Sequence, residues 1–261
     1  MKALHIAASG MAAQELNVEV ISNNIANMRT TGFKRQRVDF QDLLYENLRR
    51  PGASTSETGT IVPAGIEIGG GVKSAATPRV MSQGDITGTE KDLDVAIKGE
   101  GFFRIRMPDG RTAYSRDGSF ERDSVGQLVT VDGYVIEPGI TIPDDAISIS
   151  ISDEGLVQAF VGTDTEPTDL GTIDLARFIN PTGLESIGDN LYLETPSSGA
   201  PQVGTPGDEG YGSLEQGYLE MANVNPVSEI SDLIAAQRAY EMNSRVISAA
   251  DEMMSSTANI R

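Results

Sequence analysis

The sequence predicts a mainly β fold with terminal α-helices: one or more antiparallel β domains in the middle, with N- and C-terminal helices forming a coiled-coil inner domain. Three observations predict it. Apolar residues recur in heptads at both ends of the chain, period-two alternation between turn signals fills the middle, and a long polar, small-residue stretch divides the two patterns.

The first helix follows from Leu4, Ala7, Met11, Gln14, Val18, Ile21 and Ile25, whose spacings alternate between 3 and 4. The pattern predicts a helix from about residue 3 to 27, broken in propensity only by Gly10, at a cost of ~1 kcal/mol. Between Lys2 and Arg29 the only charges are Glu15 and Glu19, so both faces of this helix are expected to be covered after assembly. Asn23, Asn24 and Asn27, followed by Thr30-Thr31-Gly32-Phe33, read as its end. Gly32 there is able to take the left-handed backbone region, and the asparagine side chains are able to bond nearby backbone.

The C-terminal segment mirrors this. Asn225-Pro226 reads as N-cap and first helical residue, with Glu229 placed favourably for the helix dipole. Leu233, Ala236, Tyr240, Asn243, Ile247, Ala250 and Met254 then repeat the alternation of 3 and 4. Taken alone, these heptads fit two amphipathic helices on a globular body or a helix pair in a coiled coil, within one chain or between several.

Residues 90–200 read as short strands: 93–97, 101–106, 112–116, 127–131, 147–151, 157–161, 173–178 and 190–194, with PDG at 108–110 and VDG at 131–133 as turns. Residues 51–65 are too small and polar to hold a core and read as a loop, arm or linker. Residues 195–213 form a second flexible tract leading to the last helix. The organisation that follows is a helical inner domain (1–30 and 226–261), a linking region with short strands and an arm at about 46–65 (31–85 and 200–225), and an outer antiparallel β domain (86–199).

Composition narrows the function. With 20 Lys+Arg against 38 Asp+Glu, the chain carries a net charge of −18. A polyanion gains nothing from counterion release on nucleic acid, so no nucleic-acid partner is expected. No run of 18 apolar residues occurs, so no membrane insertion is expected. Cysteine is absent, which removes disulfide and thiolate chemistry, and the polar residues Gln14, Glu15, Asn17 and Glu19 spoil any secretory signal core.

Catalytic, metal and cofactor sites are not expected. His5 is the single histidine and borders the heptad seam. The acid pairs Asp92/Asp94, Asp144/Asp145 and Asp164/Glu166 lie in turns and lack the spacing of a calcium loop. The run IGGGVKSAA (68–76) lacks the spacing of a phosphate loop.

Several stretches together carry a resemblance: SGMAAQ (9–14), NNIANMRTTGFKRQRVDFQDLLY (23–45), LRRPG (48–52), TGTEKDLDVAIKGEGFFRI (87–105), YSRDGSF (114–120) and the segment 216–254. They resemble, in order, the bacterial flagellar rod and hook proteins, and LRRPG with the polar segment behind it resembles the distal rod branch. Met28 and Ala222 depart mildly from the family pattern.

The resemblance implies a non-enzymatic structural subunit of the basal-body rod that polymerises with itself into a helical tube, transmits torque across the periplasm and passes exported subunits. It also implies other rod proteins below, hook protein above, a surrounding P/L ring bushing, and exit through the flagellar type III export apparatus without a cleaved signal peptide. On this reading Leu4, Met11, Val18, Ile21, Ile25, Leu233, Tyr240, Ile247 and Met254 form the self-assembly seam. Asn23, Asn24, Asn27, Thr31, Gly32 and Phe33 form the helix-to-β joint, and Asn223, Asn225, Gln237, Arg238, Tyr240 and Glu241 form the C-terminal motif. A proximal rod or hook-type protein is the alternative within the family. Outside it, the alternative is a secreted β-domain binding module on a helical stalk.

Overall fold

The computed structural model describes residues 2–51, 64–162 and 167–259. Most of the polar stretch 51–65, and the pair Asp164/Glu166, therefore lie outside the described residues. Two long helices, α1 (Lys2–Ala26) and α2 (Pro226–Asn259), bracket a succession of short strands, and every strand pairing is antiparallel.

The chain divides into two compact units. The first comprises Met1–Ile25, Gln36–Pro78 and Asn225–Arg261, and the second Ala26–Arg35 and Arg79–Val224.

In the first unit α1 and α2 pack on each other in antiparallel fashion. Asn24 bonds Glu229, while Gly10 lies against Asn243, so the two contacts are fourteen residues apart on each helix. Fourteen residues are two heptads, which returns both contacts to one face. Small residues make the approach close: a Cβ added to Gly10 would sit 2.9 Å from the Asn243 amide nitrogen, and the buried apolar residues include Ala7, Ala13, Ala236 and Ala250.

Two ribbons complete this unit, Asp39–Asp42 with Val72–Ala76 and Tyr45–Arg49 with Ile66–Gly69. Strand Tyr45–Arg49 overlaps the start of the region read as an arm, and strand Val72–Ala76 lies in the run 68–76 that lacks phosphate-loop spacing. Ser9 ties α1 to the first ribbon, its hydroxyl accepting from the Val72 amide at 3.3 Å while donating to the Ile6 carbonyl at 2.8 Å.

The second unit is the β body. Its main sheet runs, in spatial order, 185–188, 191–193, 112–115, 102–106, 135–136, 128–130 and 120–122, with 175–177 pairing both 102–103 and 202–204. A three-stranded sheet (146–151, 156–161, 168–172) and two ribbons (95–98 with 213–216, 86–88 with 218–220) complete it. Alternation explains the core: Phe103 and Ile105 are wholly buried while the intervening Arg104 reaches outward to Glu137. Phe103 meets Phe120 edge-on at 5.0 Å, and Phe102, Tyr114 and Phe178 form a second aromatic cluster.

The helix-to-sheet joint and the assembly surfaces

Each unit closes one side of the asparagine-rich turn through its own contacts. In the first unit, Asn24 is buried and acts as a strand partner for backbone: its Nδ2 donates to the Gln36 carbonyl at 2.8 Å, and the Gln36 amide donates to its Oδ1 at 2.9 Å. The same Nδ2 donates to Glu229 Oε2 at 3.1 Å, joining the end of α1 to the first turn of α2. α2 begins as its residues require, with Asn225 Oδ1 accepting from the amides of Val227 and Ser228 at 3.0 and 3.3 Å.

In the second unit, the turn lodges in the β body. Asn27 Oδ1 accepts from the Thr30 hydroxyl, and Asn190 donates to the Thr31 carbonyl at 3.0 Å. Gly32 takes φ +67°, and its amide donates to the Glu220 carbonyl at 2.7 Å. A Cβ there would approach the backbone of Arg116 and Asp117 to 2.7 Å, so glycine is required both for its conformation and for its space. Phe33 is buried, and its carbonyl accepts from the Asn223 amide. Asn223 then fastens Arg35, its Oδ1 accepting from the Arg35 amide at 2.8 Å while its Nδ2 donates to the Val80 carbonyl at 2.8 Å.

Beneath the turn lies a buried charge cluster that sequence reasoning did not single out. Lys34 is only 1% exposed, and its Nζ donates to Glu220 Oε1 at 2.5 Å and to the Ser82 carbonyl at 2.9 Å. Arg116 donates through Nη1 to Glu220 Oε2 at 3.3 Å and through Nη2 to the Gly99 carbonyl at 2.7 Å. Glu220 also accepts from the Gly84 amide at 2.8 Å. Burial pushes Lys34 below its ordinary value, opposed by the neighbouring Glu220 charge, and burial likewise lowers Arg116. The signal for this cluster was faint: three charged residues separated by up to 186 positions, each inside a stretch that carries the family resemblance but with no local pattern that marks the charge as buried.

The predicted seam residues fall into three groups. Ile21 is buried; Leu4, Met11, Val18, Ile25, Leu233 and Ile247 are half-buried; Tyr240 and Met254 are 43% and 42% exposed. The covered face of α1 carries Ala7, Ala13, Val20, Ile21 and Asn24, so Leu4, Met11, Val18 and Ile25 lie at its flank. In the joint, Asn23 is exposed and Thr31 is half-buried. In the C-terminal motif, Gln237, Arg238 and Glu241 are exposed on α2. Among the described residues, no group of His, Cys, Asp or Glu could hold a metal ion, and no helix is long and apolar enough to cross a membrane.

Paired terminal helices, an all-antiparallel body and a turn fastened through backbone and asparagine bonds describe an architectural protein. Three family models match: the flagella basal body rod protein over residues 4–34, the flagellar hook protein FlgE/F/G D1 domain over 96–159, and the flagellar basal body rod FlgEFG protein C-terminal region over 215–260. The flagellar basal-body rod protein FlgG of Caulobacter vibrioides is 56% identical over 100% of both chains. That of Borreliella burgdorferi is 48% identical over 100% of this chain and 99% of its own, and that of Bacillus subtilis 38% over the same shares. The chain belongs to the flagellar basal-body rod protein family. It is a non-enzymatic structural subunit of the extracytoplasmic basal-body rod.

Proposed function

We propose that the chain polymerises through its terminal helices into the distal part of a helical rod that transmits torque across the periplasm and lets exported subunits pass. Its neighbours are further copies of itself, other rod proteins below, hook protein above and the P/L ring bushing around it. It reaches its place through the flagellar type III export apparatus, without a cleaved signal peptide.

The observation that carries this reading is the surface of α2. Val227, Ile230, Ile234, Met242, Val246 and Met253 are between 46% and 75% exposed, although the helix already packs on α1. Fully burying one such side chain is worth ~1.5–3 kcal/mol, so a neighbouring subunit gains by covering them. The half-buried Leu4, Met11, Val18 and Ile25 offer a second flank for the same purpose. Contacts between different patches of identical chains extend as an open helical filament when their rotation does not close a ring.

Val246 is 48% exposed, so Val246→Asp is expected to leave the monomer's stability within ~0.5 kcal/mol of the parent while abolishing rod formation. Thermal melting by circular dichroism and electron microscopy of assembled rods check the two halves. Normal rods from this variant would remove α2 from the polymer contact.

A further inference from the structure

The β body holds a pocket of about 410 Å³ that shares Arg116 with the charge cluster beneath the turn. Met81, Phe102 and Phe178 supply apolar wall, Arg116 and Arg177 line it as cations, and Glu100 stands beside them. Arg116 is 5% exposed and its buried Nε has no hydrogen-bond partner, although its other two nitrogens are bonded and its guanidinium stands 5.4 Å from the centre of the Phe102 ring. The cluster beneath supplies a single carboxylate, Glu220, for two buried cations, Lys34 and Arg116. Arg177 donates through Nη1 to the Gly210 carbonyl at 3.1 Å, and its Nε is 3.8 Å from Glu100. That pair is weak, because the Glu100 side chain is 77% exposed and screened by solvent. The pocket is thus cationic and aromatic on a chain whose net charge is −18. It suits a carboxylate carried next to an aliphatic group.

We propose that this pocket receives the Val131–Asp132 turn of a second copy of the chain, with Asp132 reaching the guanidinium groups of Arg177 and Arg116 and Val131 covering the aromatic wall. This rests on the reading of the chain as a self-assembling rod subunit. The turn has the matching chemistry. Val131 is 70% exposed, Asp132 is exposed beside it, and the Gly133 amide donates to the Thr130 carbonyl to close the loop. Three other exposed aliphatics of the β body stand near acids and fit less well. The carboxylate near Val125 is that of Asp123, which is occupied by the amides of Val125 and Gln127, and Ile147 and Ile187 lie within paired strands. Pocket and turn lie on the same unit at different places, so the contact is heterologous, the kind that builds an open filament when its rotation does not close.

The absence of cysteine provides a clean test on the full chain. Val131→Cys on one copy and Ile179→Cys, at the pocket rim, on another are mixed with a short bismaleimide, with Ile147→Cys replacing Val131→Cys as the control pair. The expected result is a cross-linked heterodimer from the first pair, reduced at least tenfold when the pocket chain also carries Arg177→Glu and increased by Glu100→Gln. Adding Asp132→Lys to the turn chain should restore cross-linking to Arg177→Glu. Equal yields with and without Arg177→Glu would overturn the proposal, as would a yield from the first pair no greater than from the Ile147→Cys control. Electron microscopy of the same proteins separates the two readings: rods without the cross-link remove the pocket contact alone, and the cross-link without rods removes the polymer reading alone.

Discussion

The two units bury different things. In the β body the buried residues are large: Ile97, Phe103, Ile105, Ile136, Ile173 and Leu175 are all at 0% exposure. Among the described residues of the helical unit most of the buried apolar ones are alanines, Ala7, Ala13, Ala236 and Ala250, with only Val20 and Ile21 adding bulk, and many of α2's larger apolar side chains remain exposed. Stabilisation from burial scales with apolar area removed from water, at ~25 cal/mol per Å². The β body therefore completes its core within one chain. The helical unit is thin by comparison, and many of its larger apolar side chains stay exposed. The difference teaches that one polypeptide can complete one core within itself and leave apolar surface on another unit by distributing side-chain volume unevenly.

The sharpest way to break this contrast is in the β body. Glu220→Ala leaves Lys34 and Arg116 buried without their shared carboxylate and frees the Gly84 amide. Removing one member of a buried ion cluster costs about 3–5 kcal/mol, so urea unfolding followed by tyrosine fluorescence should show a large loss in the β transition. A loss below ~1 kcal/mol would show that the cluster is dispensable.

A smaller loss is expected at Gly32. Alanine at φ +67° costs ~1–2 kcal/mol from backbone conformation alone, and its Cβ would press on the Arg116–Asp117 backbone. The same urea experiment measures it, and unchanged stability would mean that the turn relaxes freely.

Asn24→Ala probes the helical unit. It removes the paired bonds to Gln36 and the bond to Glu229, for an expected cost of ~2 kcal/mol. Ellipticity at the helical minimum should melt earlier while the tyrosine-monitored transition holds. If both fall together, the two units do not unfold separately.

The smallest effect concerns pH. Lys34 titrates below 10.5 in the folded chain because of burial, so in the window between its lowered value and 10.5 the unfolded chain binds a proton that the folded chain lacks. Its contribution to stability therefore rises with pH there. Tyr114 and Tyr192, raised above 10.0 by burial, act oppositely: their contribution is present below 10.0 and is lost as pH rises through the folded values. Lys34→Met should flatten the rise below pH 10 and leave the later fall. Denaturation midpoints measured across this range decide it, and an unchanged profile would remove Lys34 as the source.

The sequence by itself determined the mainly β architecture between terminal helices, because heptads and period-two alternation are local patterns that report which face of an element is apolar. Its motifs were specific enough to identify the family. It also pointed to Asn225 at the head of α2 and to Gly32 after the turn, since capping and positive φ depend on residues within a few positions. Only the tertiary structure decided which helix face is covered: Leu4, Met11, Val18 and Ile25 satisfy the heptad as well as the covered series does, and a helix apolar on more than one flank has no unique seam until a partner selects it. Only it could bring Asn24 to Gln36 and Glu229, or Lys34 to Glu220 and Arg116. A charge that is buried and paired across 186 residues looks in sequence like one that is solvated, because its cost and its compensation come from atoms that only the fold assembles.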